Sequence, residues 1–323
     1  MTKAESEVLE GRNGNLFLIK SVHNILKHIT GKIIVDENFK KNFQQNILAR
    51  AEYCLDRNIQ YKHFIYPDKI SVLIDDFPID DTISFSEMYK PFFTGDVVDL
   101  KDCLVGEDAT KYFFKTDTHL SFDGKVKTSM EILSYFFNFD SVEIEKKFNS
   151  FRGGEKEMLG DLGGKLDPKI YEKRYDIITK FLKRFNNQVG ANDGLVIVCL
   201  NKDMLRNKEH KKLLIFGDSF CERTLPLLSY FYSEVLFCRS RYFHKEIVEM
   251  FEPDHLITES AERYFSSVRL DEEAPRFNLV YGLKGAKYSE STDFYRAYNA
   301  VLNPKSPQYT RFMSKFIKSL WQR

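Results

Sequence analysis

One serine, one histidine and one aspartate stand out in this chain because their neighbours suit them to acyl chemistry. Leu213-Leu214-Ile215-Phe216 reads as a short buried strand, which Gly217-Asp218 breaks, leaving Ser219 on a tight turn into a helix. A hydroxyl placed there is exposed and lies beside free backbone N–H groups that can stabilise an oxyanion. A serine alone is a weak nucleophile and needs a base. Asp117-Thr118-His119, well upstream, offers one. Residues two apart in an extended segment point to the same side. At a strand-to-loop transition the carboxylate can orient the imidazole, fix its tautomer and stabilise the imidazolium that forms when the serine loses its proton. The plainer alternative is a turn Asp capping a helix that starts near Ser121, beside an uninvolved His. Taken together, the two blocks favour a Ser219–His119–Asp117 triad.

The elements that must position these residues follow from periodicity. From Gly194 onward, apolar strands at 195–200, 213–216, 235–238 and 255–258 are separated by a loop and by helices near 221–232 and 243–251. That alternation predicts an α/β fold with a parallel sheet and helices on both faces. Upstream, a strand is expected at 16–19 and a helix at 36–55 with Asp36 as its cap. A strand at 61–66 is stopped by Pro67-Asp68-Lys69. A helix at 84–93, strands at 97–100 and 112–115, and a helix at 122–137 follow. The segment 148–168, with glycines at 153, 154, 160, 163 and 164, reads as irregular, and 170–185 as helix. Residues 292–323 read as two helices split at Pro304 and Pro307. The whole is read as one catalytic domain, 1–323, with a helical C-terminal tail from about 285.

Composition narrows the function. The chain has 323 residues with 29 Phe and 17 Tyr, which fits a packed core and excludes general disorder. With 48 Lys plus Arg against 47 Asp plus Glu, no global charge points to nucleic acid or an anionic membrane. The apolar runs are too short for a transmembrane segment. Residues 1–11 are polar and acidic, unlike a signal peptide. The five cysteines are odd in number, scattered and free of any CxxC, which suits reduced thiols in a cytoplasm. His23, His28 and the acidic loop 75–81 lack metal-ligand spacing, and Gly164-Lys165 does not complete a P-loop. Arg239 and Arg241 follow a strand. At its C-terminal end they would face the ligand side of an open sheet and could bind an anionic substrate or a donor phosphate; a solvated surface pair is the alternative.

The Gly-Asp-Ser-Phe block resembles the nucleophile block of SGNH hydrolases. Because Asp-x-His precedes the serine, the order resembles the alginate O-acetylation proteins, a branch that O-acetylates polysaccharides. Gly11-Arg12-Asn13-Gly14-Asn15-Leu16-Phe17-Leu18 is similar to that branch's opening Gly-x-x-Gly-x-Leu-Phe-Leu. Tyr66-Pro67-Asp68-Lys69 with Phe77-Pro78 resembles its strand-ending Pro-Asp-Lys. Phe114-Lys115-Thr116-Asp117-Thr118-His119 resembles its Thr-Asp-Thr-His block. Gly160-Asp161-Leu162 and Glu259-Ser260-Ala261-Glu262-Arg263 resemble two further signatures.

The resemblance implies an SGNH-hydrolase-like fold and an O-acetyltransferase acting on a bacterial surface polysaccharide, such as a capsule, or its precursor. Ser219 would carry the acetyl group, His119 would act as base and Asp117 would hold His119. The Ser219 N–H and a loop, for which the 153–164 segment is a candidate, would form the oxyanion hole. The same triad would also serve a carbohydrate acetylesterase. A catalytically idle glycan-binding protein of polysaccharide assembly is the reading from another class. Leu120 stands where the branch usually has Trp, and the branch is usually exported. With ten residues ahead of Gly11, the expectation here is a cytoplasmic enzyme with no bound cofactor and acetyl-CoA as donor. Its partners would be a glycan acceptor and other polysaccharide-biosynthesis proteins. A periplasmic location applies if a leader precedes the sequence.

Overall fold

The structure is a computed structural model that describes residues 7–106, 108–190, 193–207, 210–280 and 291–302. Eleven strands occur among the described residues: β1 (Val8–Glu10), β2 (Leu16–Leu18), β3 (Gln60–Tyr66), β4 (Val97–Asp99), β5 (Arg152–Leu159), β6 (Tyr171–Ile177), β7 (Leu182–Asn186), β8 (Val196–Asn201), β9 (Lys212–Gly217), β10 (Glu234–Arg239) and β11 (His255–Ala261). Seven of them form the central sheet in the order β4-β3-β11-β9-β10-β8-β7. The pairs β3/β4, β3/β11, β9/β11 and β9/β10 are parallel, while β8 runs antiparallel to both β10 and β7. The sheet is therefore mostly parallel, as the alternation predicts, with one reversed strand near its edge.

Continuous apolar runs in β8 to β11 explain why these strands lie inside. A parallel strand covered on both faces has no solvent side to make polar. Leu213, Leu214, Ile215, Leu236, Phe237, Leu256 and Ile257 are each fully buried. Helix α1 (Glu37–Leu55) covers one face; the Asp36 carboxylate caps it by accepting from Asn38 N at 2.9 Å. On that face Phe43 meets His63 edge-on at 5.4 Å and Phe216 meets Phe243 at 5.7 Å. Helix α2 (Phe122–Ser134), capped by Ser121, begins the other face. The turn after it brings Phe136 against Phe64 and, at 4.8 Å, stacked on His255.

Four expectations are corrected. Residues 170–185 are not helical: they form β6 and β7. The Lys, Glu and Arg residues there favour helix in isolation, but β6 is held to β5 by an antiparallel backbone ladder from Glu155↔Tyr175 to Leu159↔Tyr171, with the exposed ion pairs Lys156–Asp176 (2.6 Å) and Lys173–Glu155 (2.8 Å) across it. The segment 148–168 is accordingly not irregular throughout, since β5 lies within it. Residues 112–115 make no strand; a 3-10 turn, Ala109–Tyr112, leads into a single bridge, Phe113↔Leu120. The helix expected at 221–232 is two single turns, α3 (Ser219–Glu222) and α4 (Leu225–Leu228). Pro226 has no N–H to continue the first into the second. In the C-terminal tail, Thr292–Val301 is helical, and the second expected helix lies outside the described residues. No helix among the described residues is long and apolar enough to cross a membrane.

Candidate active site

Ser219 is held by the ends of two adjacent strands. β9 stops at Gly217, where a Cβ would lie 2.5 Å from Glu259 Oε2 on β11. Glycine is needed there for the Glu259 carboxyl to reach the Asp218 N–H, which donates to it at 2.7 Å. The Asp218 carboxylate then accepts from Phe220 N at 2.8 Å, capping α3, and from Ala261 N at 2.9 Å. Ser219 is the first residue of α3, so its own N–H has no intrahelical partner and is free by position to bind an oxyanion. Phe220 is buried beneath it, 5.6 Å from the Tyr66 ring and 4.9 Å from the His119 ring. Arg263, ion-paired with Asp68, lies over Phe220 at 5.6 Å.

The Asp117–His119 loop comes to Ser219 from outside the sheet. Asp117 Oδ1 accepts from His119 N at 3.0 Å, a local turn that brings the carboxylate under its own imidazole. The same oxygen lies 2.6 Å from His119 Nδ1, and His119 Nε2 lies 3.0 Å from Ser219 Oγ. With Nδ1–H donating to Asp117, Nε2 is the acceptor for the serine hydroxyl. Asp117 Oδ2 accepts from Arg174 Nη1 at 2.8 Å and from Asp161 N at 3.3 Å. Burial pushes the Asp117 carboxyl up, but the His119 hydrogen bonds and charge, followed by Arg174, outweigh it and hold the group well below the usual carboxylate range. The carboxylate is thus ionised, buried and saturated with donors.

Three residues that the sequence reading did not place in the site support this loop. Arg174, on β6, stacks over Phe114 at 4.2 Å and also donates to Glu172 Oε1 at 3.0 Å. Glu172 in turn accepts from Lys115 N, Thr116 N and Thr116 Oγ1 at 2.8, 3.0 and 2.6 Å. Asp161 accepts from Thr118 N and Thr118 Oγ1 at 2.8 and 2.6 Å. Asp161 was marked only by the short Gly160-Asp161-Leu162 block, whereas Glu172 and Arg174 carried no signal. Asp117, His119 and Asp161 also lie close enough together to suggest a metal cluster. His119 Nδ1 is within hydrogen-bond distance of Asp117 Oδ1, however, and His119 Nε2 of Ser219 Oγ, so the donor set fits a proton relay better than a ligand set.

The glycine-rich segment packs behind the loop. A Cβ on Gly160 would fall 1.9 Å from Thr116 O, and one on Gly163 would fall 2.2 Å from Ile170 O. This closeness lets the N–H groups of Leu162 and Gly163 reach Thr116 O at 3.1 and 2.9 Å. Arg239 is the last residue of β10, β9's neighbour, and Arg241 follows that strand. Arg239 is level with Gly217, and its guanidinium meets Glu222 at 3.5 Å. Arg241 is exposed and lies over the Tyr264 ring at 5.4 Å. All five cysteines are unpaired.

No protein-family model and no curated protein matches the chain. Solved structures do. Bacillus cereus PatB1 with a sulfonyl adduct superposes with a TM-score of 0.58 at 12% identity, over 80% of this chain and 97% of that one. A DHHW family protein from Eubacterium siraeum gives 0.53 at 11% identity, over 88% and 100%. The O-acetyltransferase domain of Pseudomonas putida AlgJ gives 0.51 at 16% identity, over 87% and 99%. Identities this low speak for the fold alone. The chain thus has an SGNH-hydrolase-like α/β fold, built on a mostly parallel seven-stranded sheet with its candidate site at the strands' C-terminal ends.

Proposed function

We propose that this protein is an O-acetyltransferase that moves an acetyl group onto a hydroxyl of a polysaccharide or its precursor, through an acetyl-Ser219 intermediate. The observation that carries this reading is the unbroken chain of contacts from Ser219 Oγ through His119 and Asp117 to Arg174. The similarly folded domain of Pseudomonas putida AlgJ is an O-acetyltransferase domain, which supports the choice of acyl group.

In the first half-reaction Ser219 Oγ attacks the acetyl carbonyl carbon while His119 Nε2 takes the hydroxyl proton. The carbonyl oxygen becomes an oxyanion near the Ser219 N–H. Collapse breaks the bond to the leaving group, which takes the proton from His119 and departs. In the second half, a sugar hydroxyl gives its proton to His119 and attacks the acetyl-serine ester, and Ser219 leaves with that proton. Asp117 steadies the imidazolium in both halves.

Acetyl-CoA is the proposed donor, and the unpaired thiols suit the reducing cytoplasm where it is available. Of the two arginines considered for its phosphates, Arg241 is the exposed one and Arg239 is already paired with Glu222. The test is mass spectrometry of protein incubated with labelled acetyl-CoA or with p-nitrophenyl acetate, with and without a sugar acceptor. An adduct on Ser219 that is discharged onto sugar is expected. Discharge only to water would make the enzyme an esterase, and unchanged turnover in folded Ser219→Ala would remove Ser219 from the mechanism.

A further inference from the structure

Between α1 and the central sheet lies a cavity of about 60 Å³ that the relay does not use. Residues 264–269 form one wall, and three side chains of α1 tie this segment, and Asp271 beyond it, to the helix. Asn42, Asn46 and Arg50 are four apart in turn, so they share one face. Asn42 Nδ2 donates to Val268 O at 3.0 Å and Asn46 Nδ2 to Arg269 O at 2.8 Å. Arg50 donates to both carboxylate oxygens of Asp271 at 2.7 Å. Phe43, Ile47, Phe265 and Val268 make the interior apolar. The cavity adjoins the nucleophile turn without including Ser219. Arg241, exposed at its rim, follows Ser240, whose N–H donates to Gly217 O at 3.2 Å. Ser260, which also lines it, precedes Ala261, whose N–H donates to Asp218 at 2.9 Å.

Two polar groups of this cavity lack a hydrogen-bond partner among the described residues. The first is His63, which is 3% exposed: its Nδ1 lies 2.9 Å from Thr258 Oγ1, and its Nε2 is unpaired. A buried polar atom without a partner is costly and uncommon. Burial, and then the Arg50 charge, push the His63 pKa well below its ordinary value and keep the ring neutral. Thr258 Oγ1 also lies 2.7 Å from Tyr61 OH, and its single proton can go to either neighbour. His63 Nε2 is therefore a donor in one arrangement and an acceptor in the other, and a hydroxyl suits both. The second group is the Arg241 guanidinium, which lies over the Tyr264 ring at 5.4 Å and has no ion pair among the described residues. Nearby carboxyls are engaged elsewhere, Asp271 by Arg50 and Glu259 by the Asp218 N–H. We propose that the cavity binds a small hydroxycarboxylate, with its carboxylate on Arg241, its hydroxyl on His63 Nε2 and its carbon chain against Phe43 and Phe265. The size agrees: at about 10–15 Å³ for each water-sized group, this volume holds roughly four to six non-hydrogen atoms, the size of lactate. Such binding needs no acyl chemistry and does not rest on the acetyl-transfer reading.

The experiment is saturation-transfer NMR and titration of the full-length protein with lactate, with propionate, which lacks the hydroxyl, with lactamide, which lacks the charge, and with inorganic phosphate. Lactate is expected to bind with a Kd of about 1 mM or tighter, and its methyl group to receive saturation from the protein. Propionate and lactamide should each bind about fivefold or more weakly. Arg241→Gln should weaken lactate binding about tenfold while leaving lactamide unchanged. His63→Phe should abolish the preference for lactate over propionate; if that variant does not fold, the exposed Arg241→Gln carries the test. Lactate binding beside a missing acetyl-Ser219 adduct would count against the acetyl-transfer reading alone. No saturation of lactate at about 10 mM, propionate or phosphate binding as tightly as lactate, or unchanged lactate affinity in Arg241→Gln overturns the proposal.

Discussion

Replacing Arg174 with alanine separates two roles that a buried cation plays at once. Its Nη1 lies 2.8 Å from Asp117 Oδ2, and the two side chains are 6% and 4% exposed. Removing one partner of a buried pair costs about 3–5 kcal/mol of stability. The guanidinium and the imidazole sit on opposite oxygens of one carboxylate, which at ordinary hydrogen-bond lengths separates the two charges by on the order of 7 Å. At an effective dielectric near 20, that separation opposes an imidazolium by about 2 kcal/mol. Asp117 stays ionised without Arg174, because the His119 hydrogen bonds are the larger influence holding it down. Alanine should therefore favour the imidazolium and move the acid limb of the kcat/KM profile upward by about one pH unit or more. The assay is p-nitrophenyl acetate turnover across pH, with melting curves, for wild type, Arg174→Ala and Arg174→Lys. Lysine returns the charge without the paired donors, so its limb should fall near that of the wild type while its Tm stays reduced. An acid limb that is unmoved or lowered in folded Arg174→Ala would refute the reasoning.

Other perturbations test the supports around the site. Gly160→Ala puts a methyl group into Thr116 O and should lower both Tm and kcat, at about 1–3 kcal/mol of stability; an unchanged kcat would show that the loop does not depend on that contact. Asp218→Ala removes the cap of α3 and leaves the buried Ala261 N–H unpaired, which should cost about 1–3 kcal/mol in urea melts and reduce acylation of Ser219. Lys69 is buried, donates to Leu16 O and Lys115 O, and is pushed by burial from 10.5 down to about 8. Between those values the unfolded chain keeps a proton that the folded chain has shed, so this residue makes stability rise with pH across that window. Lys69→Met should flatten that part of the rise in urea melts, and an identical slope would count against it.

What could be read in the sequence was local. The β9 run stops on Gly217-Asp218, so the position of Ser219 follows from four apolar residues and a breaker. Asp117 and His119 are two apart and meet through a turn that they make themselves. The reading failed where tertiary partners decide the structure. Tyr171-Glu172-Lys173-Arg174-Tyr175 is polar and helix-tolerant by composition, and it is a strand because β5 pairs with it and the Thr116 backbone needs Glu172. No spacing in the chain marks Arg174 as the counter-ion of Asp117.

The β5–β6 hairpin, which forms its own two-stranded sheet, has a consequence for how this protein would lose activity. Ser219 directly follows the deeply buried strand β9, while the loop that carries His119 is steadied by a ribbon whose strands are largely exposed or half-buried. Free energies of local opening follow burial, so the ribbon should open well before the central sheet melts. Amide exchange would then find Arg174 and Glu172 exchanging faster than Leu214 and Ile215. Under the acetyl-transfer proposal, turnover would then fade on heating while the core stayed cooperative, because Ser219 would outlast the support of His119.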